Sequence, residues 1–203
     1  ISSIFEITDA TSPQEPWYTG YIRKAREIGF INKSDQAMQD VTRGKLSDMV
    51  TKILEIEPST VKTSQFSDIH ANSMYFTPIM TLKNKGVVKG YDDGTFKPYQ
   101  SVSRAEALKI ILMTANIPGN LKASTYKDVP NDAWFKNFVM AASKLGIVKG
   151  YSDGEFKPGK TITISEMTKI LIKVKQLKEN SLLSQNSPWQ QTLQKVIDIF
   201  SFR

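Results

Sequence analysis

The chain has 203 residues, and 40% of them are hydrophobic, which supplies enough apolar side chains for a core and excludes wholesale disorder. It has no cysteine and a single histidine, His70, so thiol nucleophiles, thiolate metal sites, multi-histidine sites and disulfides are excluded. Its 27 Lys and Arg residues outnumber its 20 Asp and Glu residues, and the net charge of +7 favours acidic partners. The apolar runs are too short for membrane insertion. The chain begins at Ile1 without a signal sequence, and we expect a fragment or a processed form.

An internal repeat organises the chain. The ten residues from Lys89 to Pro98 recur 60 residues later, from Lys149 to Pro158, with eight identical positions. The aromatic residues Trp17, Tyr75 and Trp134 follow one another at intervals of 58 and 59 residues, which predicts an earlier, decayed copy. We therefore divide the chain into a first unit over 1–62, a second unit over 63–122, a third unit over 123–180 and a C-terminal segment over 181–203.

Each unit is predicted to form a helix, a loop and a second helix. The first helices open at the three aromatic residues and end at glycines in the position after the last turn, which are Gly29, Gly86 and Gly146. Residues 188–200 are expected to add a C-terminal helix, either the start of a partial fourth repeat or a terminal cap, because Trp189 repeats the sequence context of Trp17. Such units leave apolar faces uncovered unless they pack together, so one mainly helical body is expected.

The second helices of the second and third units begin with the pattern of a capping box. In this pattern a Ser or Thr hydroxyl and a Glu carboxylate three residues later each bond a free backbone N–H. We therefore favour a structural role for four residues: Ser103, Glu106, Thr163 and Glu166.

The loops between the helices carry an Asp-Gly turn, at 93–94 and again at 153–154. A calcium loop is the alternative interpretation of Asp93 and Asp153, but the alternating acids and closing glutamate of an EF-hand are missing. No metal site and no cofactor are expected.

The second and third units resemble the S-layer homology (SLH) module. The second unit matches the family pattern over Gly86–Pro98 (GVVKGYDDGTFKP) and again over Val102–Glu106 (VSRAE). The third unit fits as well, except that Ile164 and Ser165 replace the Arg-Ala pair. The first unit keeps the arginine as Arg43 and lacks the Gly-Tyr-x-Asp-Gly loop, so we identify it as a degenerate copy.

This resemblance implies three modules in a pseudo-threefold arrangement that attach an exported protein to the bacterial surface without catalysis. It implies that the ligand is a secondary cell-wall polysaccharide bearing acidic pyruvate ketals, or another acidic envelope glycan, held in grooves between the units. Other S-layer subunits are the alternative partners. The implied location is extracellular, at the cell wall or in an S-layer.

Arg104 is the most informative candidate for ligand binding. It lies in the first turn of a predicted helix, where free backbone N–H groups attract anions and a guanidinium can bind two carboxylate oxygens at once. An arginine that is merely solvated or paired with a neighbouring acid is the alternative. Arg43 repeats this placement without a loop of its own, although a neighbouring unit could supply one, whereas Ile164 cannot bind an anion. We therefore expect Arg104 to contribute most to binding.

The loop residues are the other candidates. Glycine leaves backbone accessible, tyrosine offers a face for a sugar ring and lysine suits an acid substituent, which selects Lys89, Gly90, Tyr91, Lys149, Gly150 and Tyr151. The alternative is that the glycines serve the turn and the tyrosines fill the core. Asp68 and Asp128 are candidates for sugar-hydroxyl contacts, although capping the opening turn or bonding loop amides is the commoner role for such aspartates.

Three classes of function compete: a glycan anchor, a protein-interaction scaffold with decayed glycan sites, and an enzyme. An enzyme is disfavoured because the carboxylates are scattered and His70 has no accompanying nucleophile motif. The positive charge lies in the second and third units, at +3 and +4 against −1 in the first. The lysines are spread rather than clustered and no nucleic-acid module is present, so nucleic acid is not an expected partner.

Overall fold

The computed structural model describes residues 14–119 and 126–183. Over these residues the predicted mainly helical fold class is confirmed, since the regular structure consists of helices and the extended pairings are isolated bridges. The helices are α1 (Thr19–Glu27), α2 (Arg43–Ile53), α3 (Phe76–Asn84), α4 (Arg104–Thr114), α5 (Lys136–Lys144) and α6 (Ile164–Leu183). The helix expected over 188–200 lies outside the described residues.

The first helix of each pair begins one or two residues later than the sequence predicted. A hydrogen-bonded turn precedes each one, with the N–H groups of Thr19, Phe76 and Lys136 donating to a carbonyl three residues earlier. This turn holds the leading aromatic residue outside the helix, and both Trp17 and Trp134 are exposed. The glycine after each of these helices has positive φ, as its predicted position requires.

The second helix of each pair begins where its capping residues predict. The hydroxyl of Ser103 accepts from the N–H of Glu106, and the Glu106 carboxylate accepts from the N–H of Ser103 at 3.0 Å. Thr163 and Glu166 make the same two bonds ahead of α6. These caps satisfy backbone donors that a helix start would otherwise leave unpaired.

A cyclic set of backbone hydrogen bonds joins the three segments that precede α2, α4 and α6. The N–H of Val41 donates to Ile162 at 2.8 Å, that of Ile162 donates to Val102 at 3.1 Å, and that of Val102 donates back to Val41 at 2.9 Å. All three side chains are completely buried. The second helix of each pair then packs against the first helix of the next, α2 on α3, α4 on α5 and α6 on α1. The described residues therefore form a pseudo-threefold ring.

Candidate functional site

Arg43 is the first residue of α2, and it reaches the loop that connects α3 to α4. Its backbone N–H donates to Gln100, and its Nε donates to the carbonyl oxygen of Phe96 at 2.8 Å. The guanidinium lies over the ring of Phe96 at 4.6 Å and over the ring of Tyr91 at 4.9 Å. The arginine of the first unit therefore uses the Gly-Tyr loop of the second unit.

Arg104 repeats this geometry one unit further along the ring. Its Nε donates to the carbonyl oxygen of Phe156 at 3.1 Å, and its guanidinium lies 5.1 Å from the ring centre of Tyr151. Arg104 therefore contacts the loop of the third unit, whereas the Gly-Tyr loop of its own unit receives Arg43. The third equivalent residue, Ile164, is buried and donates its N–H to Gln39.

Gly90 and Gly150 are required by the loop itself. A Cβ on Gly90 would contact the ring of Phe66 and lie 2.8 Å from the carbonyl oxygen of Thr95, and φ at Gly90 is +81°. A Cβ on Gly150 would likewise meet the ring of Tyr126. These contacts support the turn-forming alternative for the glycines.

Asp68 and Asp128 hold the loops in shape. The two carboxylate oxygens of Asp68 accept from the N–H groups of Phe96 and Lys97 at 2.8 and 2.7 Å. Those of Asp128 accept from the N–H groups of Phe156 and Lys157 at 2.8 and 2.6 Å. These bonds position the Phe96 and Phe156 carbonyl groups that receive Arg43 and Arg104, which corresponds to the loop-bonding alternative for the aspartates.

We define the first groove as the cavity of about 270 Å³ between α4, the loop before it, Arg43 and Trp134. Its wall includes Lys89, Gly90, Glu106 and Lys109. Trp134 stands on the rim with 55% of its surface exposed, and the Lys109 Nζ lies 5.3 Å above its ring.

We define the second groove as the equivalent cavity of about 210 Å³ between α6, the loop before it, Arg104 and Trp17. Its wall includes Lys149, Gly150, Tyr151, Glu166, Lys169 and Lys173. The Lys169 Nζ lies 5.0 Å from the ring centre of Trp17.

The candidates predicted from the sequence do not include the rim residues Trp17, Trp134, Lys109 and Lys169. The lysines could have been found, because each follows the position of Arg104 or Ile164 by five residues in corresponding helices. The tryptophans were used only as repeat landmarks. Their place on the rim of a groove made by other units depends on how the helix pairs pack.

Glu166 distinguishes the second groove from the first. Its Oε1 lies 3.4 Å from Nη1 of Arg104 and accepts from the hydroxyl of Tyr151 at 2.9 Å, and Lys160 approaches the same oxygen at 3.4 Å. Burial raises the pKa of Glu166, but the Thr163 N–H and these neighbours outweigh it, and the pKa lies below its usual value. In the first groove the corresponding carboxylate, Glu106, bonds to Ser103 alone among the described residues.

The aspartates of the Asp-Gly turns bond within their own loops. Asp93 accepts from the hydroxyl and the N–H of Thr95, and these bonds together with Lys97 lower the pKa of Asp93 to about 2. Over the described part of the chain, no group of three or more acidic or histidine side chains could hold a metal ion. No described helix is both long enough and apolar enough to cross a membrane.

Comparison with known proteins identifies two repeats. Residues 65–108 and 125–168 match the family model of the S-layer homology domain. The chain is 33% identical over 123 residues to the surface-layer 125 kDa protein of Lysinibacillus sphaericus, and 30% identical over 122 residues to the S-layer protein sap of Bacillus anthracis. It is 35% identical over 124 residues to the exoglucanase XynX of Acetivibrio thermocellus. Each alignment covers 60% of this chain and only 10%, 15% and 11% of the respective relative.

Proposed function

We propose that this chain, with its two S-layer homology repeats, is a non-catalytic anchoring module of the bacterial cell envelope. Its ligand is an acidic secondary cell-wall polysaccharide, including pyruvylated forms, and it attaches an exported protein to the cell surface. The observation that carries this proposal is a repeated arrangement: each groove combines a buried arginine, a loop lysine and an exposed tryptophan.

The chemistry of this arrangement suits an acidic sugar polymer. An arginine guanidinium can bind both oxygens of a carboxylate, and Arg43 and Arg104 are held in place by a carbonyl on one side and aromatic rings on the other. Lys89 and Lys149 add positive charge at the loop. The broad faces of Trp17 and Trp134 offer apolar area for sugar rings.

The tyrosine faces and the loop backbone complete the proposed contacts. Tyr91 and Tyr151 lie under the guanidinium groups, and Gly90 and Gly150 leave the adjacent backbone open to the grooves. Asp68 and Asp128 act as positioning residues for the loops in this proposal.

We also infer that residues 1–62 are a degenerate first repeat, which brings the number of repeats to three. The segment before α2 supplies one corner of the hydrogen-bonded ring, and α1 packs on α6 as α3 packs on α2. This unit lends Arg43 to the first groove and Trp17 to the second, so both grooves depend on it.

The relatives support a role in attachment rather than in catalysis. They include two surface-layer proteins and an exoglucanase, and the matched segment is a small part of each. A segment shared by such different proteins serves a common need such as location. The activity of a longer protein containing this chain would then belong to its other regions.

A wall-pelleting assay tests the proposal. The chain is mixed with isolated bacterial cell walls, before and after chemical removal of the secondary polysaccharide, and the pelleted fraction is measured. We expect pelleting with intact walls and none with stripped walls. Failure to pellet with any wall, together with capture of a discrete envelope protein, would support the scaffold alternative instead. Nucleic acid as a competitor should leave pelleting unchanged.

A further inference from the structure

We propose that the two grooves bind chemically different parts of the glycan. The first groove takes a carboxylate, which Arg43 binds. The second groove takes an uncharged sugar residue, because Glu166 already pairs with its arginine. This inference rests on the proposed function and specifies the ligand of each groove.

Arg43 has the bonding capacity that a carboxylate needs. Within its side chain only Nε donates a hydrogen bond among the described residues, to the Phe96 carbonyl, and no described carboxylate lies within ion-pair distance. The residue is only 9% exposed, and it lines the first groove. A buried cation without an acidic partner is costly, so an incoming carboxylate would be attracted by the charge and could accept from the N–H groups of Nη1 and Nη2.

Arg104, in contrast, already has an acidic partner within the protein. Its Nη1 pairs with Glu166, whose side chain is only 16% exposed. The hydroxyl of Tyr151 and the Nζ of Lys160 hold the same carboxylate oxygen in place. A second carboxylate entering here would face the negative charge of Glu166 at short range.

The first groove lacks this network although it has a glutamate in the same position. The Glu106 carboxylate accepts a hydrogen bond from Ser103. The residue that corresponds to Lys160 is Gln100, which carries no charge. Tyr91 makes no hydrogen bond to Glu106. Among the described residues, therefore, a carboxylate of the protein neutralises the arginine of the second groove but not that of the first.

The second groove has one more positive side chain than the first, so the number of positive charges does not explain the proposed preference of a carboxylate for the first groove. Each has a loop lysine and a helix lysine, Lys89 with Lys109 in the first and Lys149 with Lys169 in the second. The second groove adds Lys173, which donates to the carbonyl of Gly146 at 2.8 Å. The distinction lies in whether the planar guanidinium is available for two-point binding.

Calorimetric titration with two probes tests this inference on the full chain. The probes are acidic polysaccharide fragments released from the walls that pellet the protein, and the same fragments with their carboxyl groups reduced to alcohols. We expect Arg43→Gln to weaken binding of the acidic fragments about ten- to a hundredfold, and to change binding of the reduced fragments little. Thermal melts check that the variant is folded.

Glu166→Gln provides the decisive variant, and Glu57→Gln, at an exposed glutamate that lines neither groove, is its control for the loss of one negative charge. Gln preserves the capping bond at residue 166, so the start of α6 remains intact. We expect Glu166→Gln to release Arg104 and to strengthen binding of the acidic fragments several-fold. In the Arg43→Gln background it should restore most of the lost affinity, whereas Glu57→Gln should do neither.

Two outcomes would overturn the inference while leaving the proposed function in place. One is binding of acidic fragments by Arg43→Gln as tight as by the wild type. The other is an unchanged affinity in Glu166→Gln, which decides the matter even if Arg43→Gln fails to fold. Absence of binding to walls and to both kinds of fragment would instead remove the proposed function, and this inference with it.

Discussion

Arg104 and Glu166 form an ion pair at 3.4 Å between the first turns of α4 and α6, two helices from different units. The same carboxylate bonds back to the N–H of Thr163 and caps its own helix. One side chain therefore stabilises a helix start and joins two units. The repeat in the sequence predicts the first role, and the second arises from the ring arrangement.

The contribution of Glu166 to stability should depend on pH. The pKa of Glu166 is lowered in the folded protein from 4.5, so the folded state favours the charged form. Its stabilisation is complete above about pH 4.5 and is lost as pH falls through the folded-state pKa. We expect Glu166→Gln to lower the free energy of unfolding by about 1 kcal/mol at pH 7 and by less at pH 3. Urea denaturation at both pH values measures the difference, and an equal loss at both would contradict the prediction.

Two glycines in one loop should respond differently to alanine. Gly90 and Gly94 both have positive φ, at +81° and +77°, which costs any L residue about 1 kcal/mol. A Cβ on Gly90 also meets Phe66 and the Thr95 carbonyl, whereas one on Gly94 enters open space. We expect Gly90→Ala to cost about 1–3 kcal/mol more than Gly94→Ala in denaturant unfolding. Similar losses would show that the loop can move away from the added methyl group.

Removing one oxygen acceptor from Asp68 should weaken the loop that holds Arg43. In Asp68→Asn the amide can accept only one of the two N–H bonds and places a donor against the other. We expect a loss of about 1.5–3 kcal/mol in the free energy of unfolding. Asp92→Asn, in the same region and exposed, is the control and should change little. Weaker glycan binding by Asp68→Asn with unchanged stability would favour the sugar-contact interpretation.

Trp134→Ala should weaken binding while the protein stays folded. Trp134 is 55% exposed on the rim of the first groove, so more than half of its surface lies outside the core. We expect the free energy of unfolding to fall by about 2 kcal/mol at most, through the buried part of the ring, while binding of glycan fragments by the folded variant weakens by about 1–2 kcal/mol. Tyr99→Ala is the matched control, because Tyr99 is 74% exposed and does not line either groove. Equal effects of the two substitutions on binding would remove Trp134 from the proposed site.

The second unit should not fold by itself. Residues 63–122 contain Phe96, whose carbonyl is bonded by Arg43 of the first unit, and Arg104, whose partners belong to the third. Excision would expose these polar groups together with the buried faces of α3 and α4. We expect the isolated segment to show weak helical circular dichroism and no cooperative melt, in contrast to the full chain. A cooperative transition in the fragment would mean that the contacts between units are dispensable for folding.

The sequence by itself determined the features that depend on neighbours along the chain. The capping residues before α4 and α6, the glycines after the first helices and the Asp-Gly turns were all predictable, because each acts over three or four residues. The repeat made these signals appear twice in register. That Ile164 differs from Arg43 and Arg104 in what it can bind stays a prediction from the sequence.

The tertiary structure alone decided which groups meet in each groove. The sequence alone would allow either arginine to contact either Gly-Tyr loop. The order in which the backbone hydrogen bonds run around the ring, among Val41, Val102 and Ile162, places Arg104 against the loop of the third unit. That direction also brings Glu166 to Arg104, and it leaves Arg43 without a carboxylate partner among the residues that the structure describes. Local sequence rules cannot specify such contacts, because they join residues more than 50 positions apart and depend on how three helix pairs close into a ring.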